Sequence, residues 1–231
     1  MTSWIQKGSD IFGEAAKDYS GNSISISGDG SVIAVGAYYN DSNGSNSGHV
    51  RIFRNINDTW TQVGSDIDGE SAFDFAGNAV SLSSDGSVIA IGAQNNDDNG
   101  KASGHVRIFK NIDNSWTQIG SDIDGAGQLD QSGTSLSLSG NGSVVAIGAF
   151  YGSGIGTRTG DVRIFRNIND TWTQVGSDID GEDGADGAGY STSLSDDGRI
   201  VAIGALQNDG NGTNSGHVRI FRNINDTWTQ V

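Results

Sequence analysis

Across 231 residues, 13 Lys plus Arg stand against 28 Asp plus Glu, and the resulting net charge of -15 argues against nucleic acid or an anionic membrane surface as partner while leaving basic partners and cations open. Hydrophobic residues make up only 34% of the chain and glycines number 36, a balance that would suggest disorder were the apolar residues not so regularly spaced. There is no cysteine, which fits a chain long enough to build a core without disulfide staples, and no apolar run approaches the roughly 20 residues of a membrane span, so no membrane insertion is expected.

The chain opens on residues 1–7 and ends on 225–231, two versions of one segment, as in an excerpt from a longer array. Too few residues precede Trp4 for a signal peptide, so any export signal would lie outside this chain. Trp4, Trp60, Trp116, Trp172 and Trp228 recur every 56 residues, which divides a single domain, 1–231, into repeats 4–59, 60–115, 116–171 and 172–227 with 228–231 a partial fifth copy. A period of this length marks a repeat architecture whose units cannot bury their apolar faces alone.

Within the unit 60–115, residues 60–63 form the first short apolar run. A loop follows, Asp66-Ile67-Asp68-Gly69-Glu70 with Asp74 beyond it. Residues 79–83 alternate Val80 and Leu82 with serines, the period-2 pattern of a strand whose two faces differ. Asp85-Gly86 reads as a two-residue hairpin turn with positive φ angles, leading to an antiparallel partner at 87–93. A long loop, 94–104, precedes the fourth run, His105-Val106-Arg107-Ile108-Phe109, and residues 111–115 turn the chain back to Trp116. All four runs have strand length, and no helix is expected. The fold class is therefore all-β, a β-propeller of four-stranded blades, with a four-bladed ring favoured and two chains forming one eight-bladed ring as the alternative; sandwiches and barrels share the short strands and turns.

Ser20-Gly21-Asn22-Ser23-Ile24-Ser25, Val35-Gly36-Ala37 and Gly48-His49-Val50-Arg51-Ile52-Phe53 resemble the FG-GAP repeat of integrin α-chain propellers and of many bacterial surface proteins. The resemblance implies that the serine strand is innermost and the Trp strand outermost, and that residues 4–8 close the ring as the outer strand of the blade built from 190–222. It also implies an extracellular or cell-surface location. Family members that bind calcium do so in an Asp-rich loop between the first two strands; here that place holds only Gly28-Asp29-Gly30, Ser84-Asp85-Gly86, Gly140-Asn141-Gly142 and Asp196-Asp197-Gly198, so calcium is not expected there.

Antiparallel succession puts the short turns on one face and both long loops on the other, and function concentrates in loops on a rigid frame. On that second face Tyr38, Tyr39, Asp41, Asn43 and His49, with Asp97, Asn99 and His105 and with Asp209, Asn211 and His217, are the candidate ligand-binding residues. Copy three carries 152–156 in place of the Asn-Asp loop and Asp161 in place of the histidine, as if one site had been lost there. Tyr19, Phe75, Phe150, Tyr151 and Tyr190 lie nearby and, with Asn and Asp, could stack on a sugar or pack between blades.

Asp10, Asp66, Asp122 and Asp178, with Asp18, Asp74, Asp130 and Asp186, cluster hard oxygens of the kind calcium needs. Their spacing is not that of an EF-hand and Phe12 and Ala126 interrupt the acids, so they read as acceptors for backbone groups in turns, and no metal or cofactor is expected. Eight of the 13 basic residues, Arg51, Arg54, Arg107, Lys110, Arg163, Arg166, Arg219 and Arg222, sit in or just after the third strand and read as structural partners for aspartates. No cysteine, equivalent histidines and serines already explained by alternation give nucleophilic catalysis little support. The expected function is a non-enzymatic binding or adhesion module for a glycan or protein ligand, as monomer or homodimer; the alternatives are a structural spacer and a polysaccharide-acting enzyme using the central channel.

Overall fold

The computed structural model describes residues 3–153 and 158–231; residues 154–157 of the glycine-rich copy-three loop lie outside that range. Each apolar run becomes a strand, and the strands form four antiparallel sheets. Blade 1 runs from β1 (Ser23–Ile26) through β2 (Val32–Ala37) and β3 (His49–Ile56) to β4 (Thr59–Gln62), and β5 (Ile67–Asp68) adds a short fifth strand beside the start of β3. Blade 2 repeats this with β6 (Ala76–Leu82), β7 (Val88–Ala93), β8 (His105–Ile112), β9 (Ser115–Gln118) and β10 (Ile123–Asp124). Blade 3 has β11 (Ser132–Leu138), β12 (Val144–Ala149), β13 (Asp161–Ile168), β14 (Thr171–Gln174) and β15 (Ile179–Asp180). Blade 4 has β16 (Ala188–Leu194), β17 (Ile200–Ala205), β18 (His217–Ile224) and β19 (Thr227–Gln230), with no fifth strand. Among the described residues no helix forms, and none is long and apolar enough to cross a membrane.

Local chemistry sets the turns. Asn57 and Asp58 both take positive φ, 51° and 61°, as the two-residue hairpin between β3 and β4 requires. The β6–β7 turn differs from expectation, because only Gly86 is left-handed, at φ 67°. Asp85 keeps ordinary backbone geometry and uses its carboxylate instead, accepting from the Ser83 hydroxyl at 2.7 Å and from the Ser87 amide at 2.9 Å.

The serine strands stack on one another, β1 on β6, β6 on β11 and β11 on β16. Their serines serve this joint: the amides of Leu82, Leu138 and Leu194 donate to Ser25, Ser81 and Ser137 of the preceding blade, each at 2.9 Å. At the rim, Trp116 Nε1 donates to Val63 O at 2.9 Å and Trp172 Nε1 to Ile119 O at 2.8 Å, tying each outer strand to the one before. Between these, two backbones touch directly, because Gly92 faces the Gly133 carbonyl with no room for a Cβ.

The expected ring closure is not made within the chain. Thr227–Gln230 occupies the outer edge of blade 4, and residues 4–8 lie beside blade 1, where Lys7 O accepts from Trp60 Nε1 at 3.0 Å while Trp4 is fully exposed. Among the described residues no strand of blade 4 packs on blade 1 to an extent comparable with the consecutive joints. Val162 is 0% exposed under blade 4, but its counterpart Val218 is 66% exposed; Val80 is 8% exposed against blade 1, but its counterpart Ile24 is 65% exposed.

A methyl group added at a closed joint must push backbone apart, whereas at Gly204 it meets only the Ser191 side chain, which can rotate. Gly92→Ala should therefore lower stability by about 1–3 kcal/mol, the usual range for overpacking, and Gly204→Ala of the isolated chain by clearly less, as read from paired denaturant titrations.

Candidate functional site on the loop face

The two long loops meet on one face, as strand parity requires. Phe73 N donates to Ser45 O at 2.8 Å and Ala76 N to Ser47 O at 2.9 Å, so each inter-blade loop is stitched to the loop of the blade before it. The candidate polar residues do much of this stitching. Asp41, Asp97 and Asp209 accept from the backbone amides of Asn46, Ala102 and Asn214 at 2.7, 2.7 and 2.6 Å. Asn43 donates to the carbonyls of Gly69 and Glu70, and Asn99 donates to that of Gly125 at 2.7 Å. Asn211 donates its amide to Ser215 Oγ at 3.3 Å. The turn aspartates behave likewise: Asp74 accepts from Ser71 N and from Asn96 Nδ2, and Asp18 from Ala15 N and Asn40 Nδ2. Asp66, Asp122 and Asp178 instead accept from the side chains of Gln62, Gln118 and Gln174 at 2.5–2.6 Å.

Tyr38 and Tyr39 are half-buried and belong to an aromatic group with Tyr19 and Phe75, ring centroids 4.2–6.0 Å apart, at the joint of blades 1 and 2. Tyr19 and Phe75 stand at φ 52° and 61°, a left-handed conformation that a bulky residue adopts only under strain; copy four places Gly187 there, at φ 64°. A second aromatic group, Phe150, Tyr151 and Tyr190 with Arg158 over the Tyr151 ring, lies at the joint of blades 3 and 4.

The histidines are not surface residues. His49 and His105 are fully buried under the loops, and none of their ring nitrogens has a hydrogen-bond partner. His105 Nδ1 faces three carboxylates, Glu70 at 3.7 Å, Asp98 at 3.8 Å and Asp122 at 3.9 Å; His49 Nδ1 faces Asp66 at 3.6 Å and Glu14 at 3.8 Å. Burial and the neighbouring Arg107 guanidinium push His105 down to about 4, so its ring is neutral at pH 7. Burial, with Asp122, Asp98 and Asp74 around it, raises the Glu70 carboxyl. His217, with no blade over it, is only partly buried and has Glu182 at 3.7 Å. The sequence shows Glu70 and its replacement by Ala126, but reading that loop as turn acceptors left the glutamates apart from the histidines, although Ala126 stands in the very copy where Asp161 replaces the histidine.

The arginines at the third position of the His/Asp-Val-Arg strands are structural, but their partners are not aspartate carboxylates. Arg51, Arg107 and Arg163 donate to the carbonyls of Phe12, Asp68 and Asp124 at 2.6–2.7 Å, and Arg219 to that of Asp180. Each also lies over the phenylalanine two residues on, and Arg51, Arg107 and Arg219 approach a glutamate at 3.6–3.9 Å. Further out, Arg166 does pair with a carboxylate, Asp226, at 3.0 Å.

Residues 13–53, which run from the first inter-blade loop through β3, match the FG-GAP repeat family. The chain is a β-propeller with an FG-GAP repeat over these residues. No curated protein matches it in sequence. Among solved structures it is similar to the hydrazine synthase of Kuenenia stuttgartiensis, at 12% identity and a TM-score of 0.58, covering 99% of this chain and 53% of that one. It is also similar to the periplasmic gluconolactonase of Pseudomonas aeruginosa, at 14% identity and a TM-score of 0.60, covering 90% of this chain and 55% of that one. The chain thus spans about half the length of these structures, and at such identities the likeness concerns the fold.

Copy three of this propeller keeps the site's place but changes its chemistry. Asp161 is buried where the histidines stand, and burial first, then Asp178, Asp130 and Asp180 against the opposing pull of Arg163, pushes its carboxyl up to about 7. A carboxyl raised in the folded state holds its proton while the unfolded chain has already released it, so its stabilising contribution is full below about pH 4 and is lost as pH rises to about 7. Asp161→Asn should remove this loss: the variant should gain stability relative to the parent as pH rises from 4 to 8, by at most about 4 kcal/mol, and a difference that stays flat across that window would contradict the buried acid.

Proposed function

We propose that the chain is a non-enzymatic binding module that takes a glycan on its loop face, with Tyr19, Tyr38, Tyr39 and Phe75 as the contact patch. The observation that carries this reading is the aromatic group itself, because Tyr19 and Phe75 hold rings at a positive φ that copies three and four fill with Gln131 and Gly187, so the backbone does not require an aromatic there. Backbone strain of this kind costs about 1–3 kcal/mol and clusters at ligand sites. Tyrosine rings offer a flat apolar face with a hydroxyl at the edge, which suits a sugar's apolar face and its rim of hydroxyls. Asp41, Asn43, Asp97 and Asn99 then act as the bracing of the loops around this patch. An extracellular or cell-surface setting follows the FG-GAP resemblance, and a propeller that only spaces other elements would have no use for a strained aromatic.

The test is a glycan array followed by titration of a hit under NMR. Tyr19→Ala and Tyr39→Ala should each weaken binding by about tenfold or more, equivalent to about 1.4 kcal/mol, with resonances of 38–46 and 70–75 moving. Movement confined to the Asp85 and Asp113 turns would put the ligand on the opposite face, and turnover of a sugar lactone by the parent chain would overturn the non-enzymatic half of the reading.

A further inference from the structure

Under the loops, two joints hold a side-chain set that the binding reading does not use and on which that reading does not depend. His105 is 0% exposed with both ring nitrogens unpartnered, and its Nδ1 looks into Glu70, Asp98 and Asp122. One blade back, His49 looks in the same way into Glu14 and Asp66. In each set one donor atom per residue can be chosen such that all lie within 4.8 Å of one another.

A buried imidazole with no partner is costly, and a ring of carboxylates with one arginine beside it carries surplus negative charge. The imidazole and carboxylates are too far apart to satisfy one another directly, at 3.6–3.9 Å. That spacing is a few tenths of an ångström wider than the roughly 3.4 Å between ligands of a tetrahedral zinc ion with bonds of about 2.0–2.1 Å. We propose that these two clusters are binding sites for a divalent first-row transition metal, zinc being the strongest candidate: His105 Nδ1 with Glu70, Asp98 and Asp122, and His49 Nδ1 with Glu14 and Asp66.

A neutral imidazole nitrogen among carboxylates selects zinc, cobalt or manganese over calcium and magnesium, whose sites are built from oxygen, and zinc precedes manganese in intrinsic affinity. The copies vary as such a site would. Copy two has four ligands; copy one has Ser42 in place of Asp98 and keeps three; copy three has Ala126, Gly154 and Asp161 in place of glutamate, aspartate and histidine, and so loses three ligands together.

The test uses the full chain, labelled with nitrogen-15 and first stripped of metal, with zinc chloride added at pH 7. With only three histidines, the imidazole nitrogens can be followed one by one. The Nδ1 resonances of His49 and His105 should shift, and Glu70→Gln should weaken the His105 response by about tenfold or more while leaving that of His49. The double variant His49→Gln, His105→Gln keeps the net charge of -15 and thus any diffuse attraction of zinc to an acidic surface. Zinc that moves neither imidazole in the parent chain, or that binds the double variant as tightly, would overturn the proposal; the parent chain alone decides if a variant fails to fold.

A second inference stands on different observations, the two uncovered ends of the stack. Val218 and Ile220 of blade 4 are the counterparts of residues that bury themselves on the next blade, and Ile24 and Ile26 of blade 1 are the counterparts of residues that receive them. A Cβ on Gly21 would meet nothing within 4 Å, whereas on its counterparts Gly77 and Gly133 it would meet the His49 and His105 carbonyls of the preceding blade at 2.6 and 2.8 Å. Blade 4 lacks the fifth strand that Ile67–Asp68 and its equivalents give the other blades, and Ile11-Phe12, the same segment in copy one, is not in a strand. We infer that a second copy of this chain docks head to tail at both ends, repeating the internal joint twice and closing a ring of eight blades. Residues 4–6 are the counterpart of 228–230, so one of the two segments yields its place in each new joint.

Light scattering after size exclusion should give twice the 24.0 kDa of one chain. Val218→Glu and Ile24→Glu, each on a face already exposed in the single chain, should give monomers with unchanged circular dichroism. A parent chain that is monomeric up to about millimolar concentration, a ladder of open oligomers, or a dimer that survives both variants would overturn the closed ring.

Discussion

Backbone-to-backbone contact between consecutive blades is the constraint on which the rest depends. A four-stranded sheet has two faces and cannot bury either alone, and here the faces approach so closely that the Gly92 Cα meets the Gly133 carbonyl. Side chains could not fill that space. Once glycine fixes the approach, the serines of one inner strand reach the amides of the next, the arginines reach the carbonyls of the inter-blade loop, and the tryptophans reach the outer strand of the blade before. The histidines are buried for the same reason, since β8 begins where blade 2 presses against the loop that follows it.

Much of this was legible in the sequence because the repeat prints the same physics four times. Val80 and Leu82 alternating with serines gave the inner strand, the short link 111–115 gave a hairpin, and loop lengths gave the face on which the long connections meet. Ring closure was not legible, because residues 4–7 and 228–231 are two versions of one segment, sharing Trp and Gln, and sequence cannot say which of them fills an edge; packing decides. The two-residue β5 was missed since Ile67-Asp68 carries no periodicity of its own and pairs only once β3 is in place. The partners of the arginines were misread in kind, because charge in a sequence suggests carboxylates whereas the guanidinium here meets a carbonyl, an acceptor every residue owns.

The loop residues show where composition misleads. A stretch rich in Asn, Asp and Gly looks like a ligand surface, but a long loop must first satisfy its own backbone. Asp41 does so by accepting the Asn46 amide and Asn43 by donating to two carbonyls of the next loop. The residues left with unmet capacity are of other types. Among the loop-face candidates they are the imidazoles of His49 and His105, buried with neither ring nitrogen partnered, and the aromatics held at positive φ. A polar group that the fold has already satisfied is weak ground for function, while one that the fold buries and leaves unsatisfied is strong ground.

Copy three separates the two roles within one molecule. There both joints are intact: toward blade 4 Gly148 faces the Gly189 carbonyl and Thr159 O accepts the Ala188 amide at 2.9 Å, and toward blade 2 Arg163 donates to Asp124 O at 2.7 Å. Yet glutamate and histidine are both gone, and the acid in the histidine's place relieves its burial by holding a proton near neutral pH. If the imidazole and its carboxylates were needed to hold blades together, blade 3 could not pack as its neighbours do. That it packs in the same way means the joint does not select for them. Two carboxylates around His49 and three around His105, each set with an unpartnered imidazole, raise the cost of folding, a cost that the proposed metal would offset.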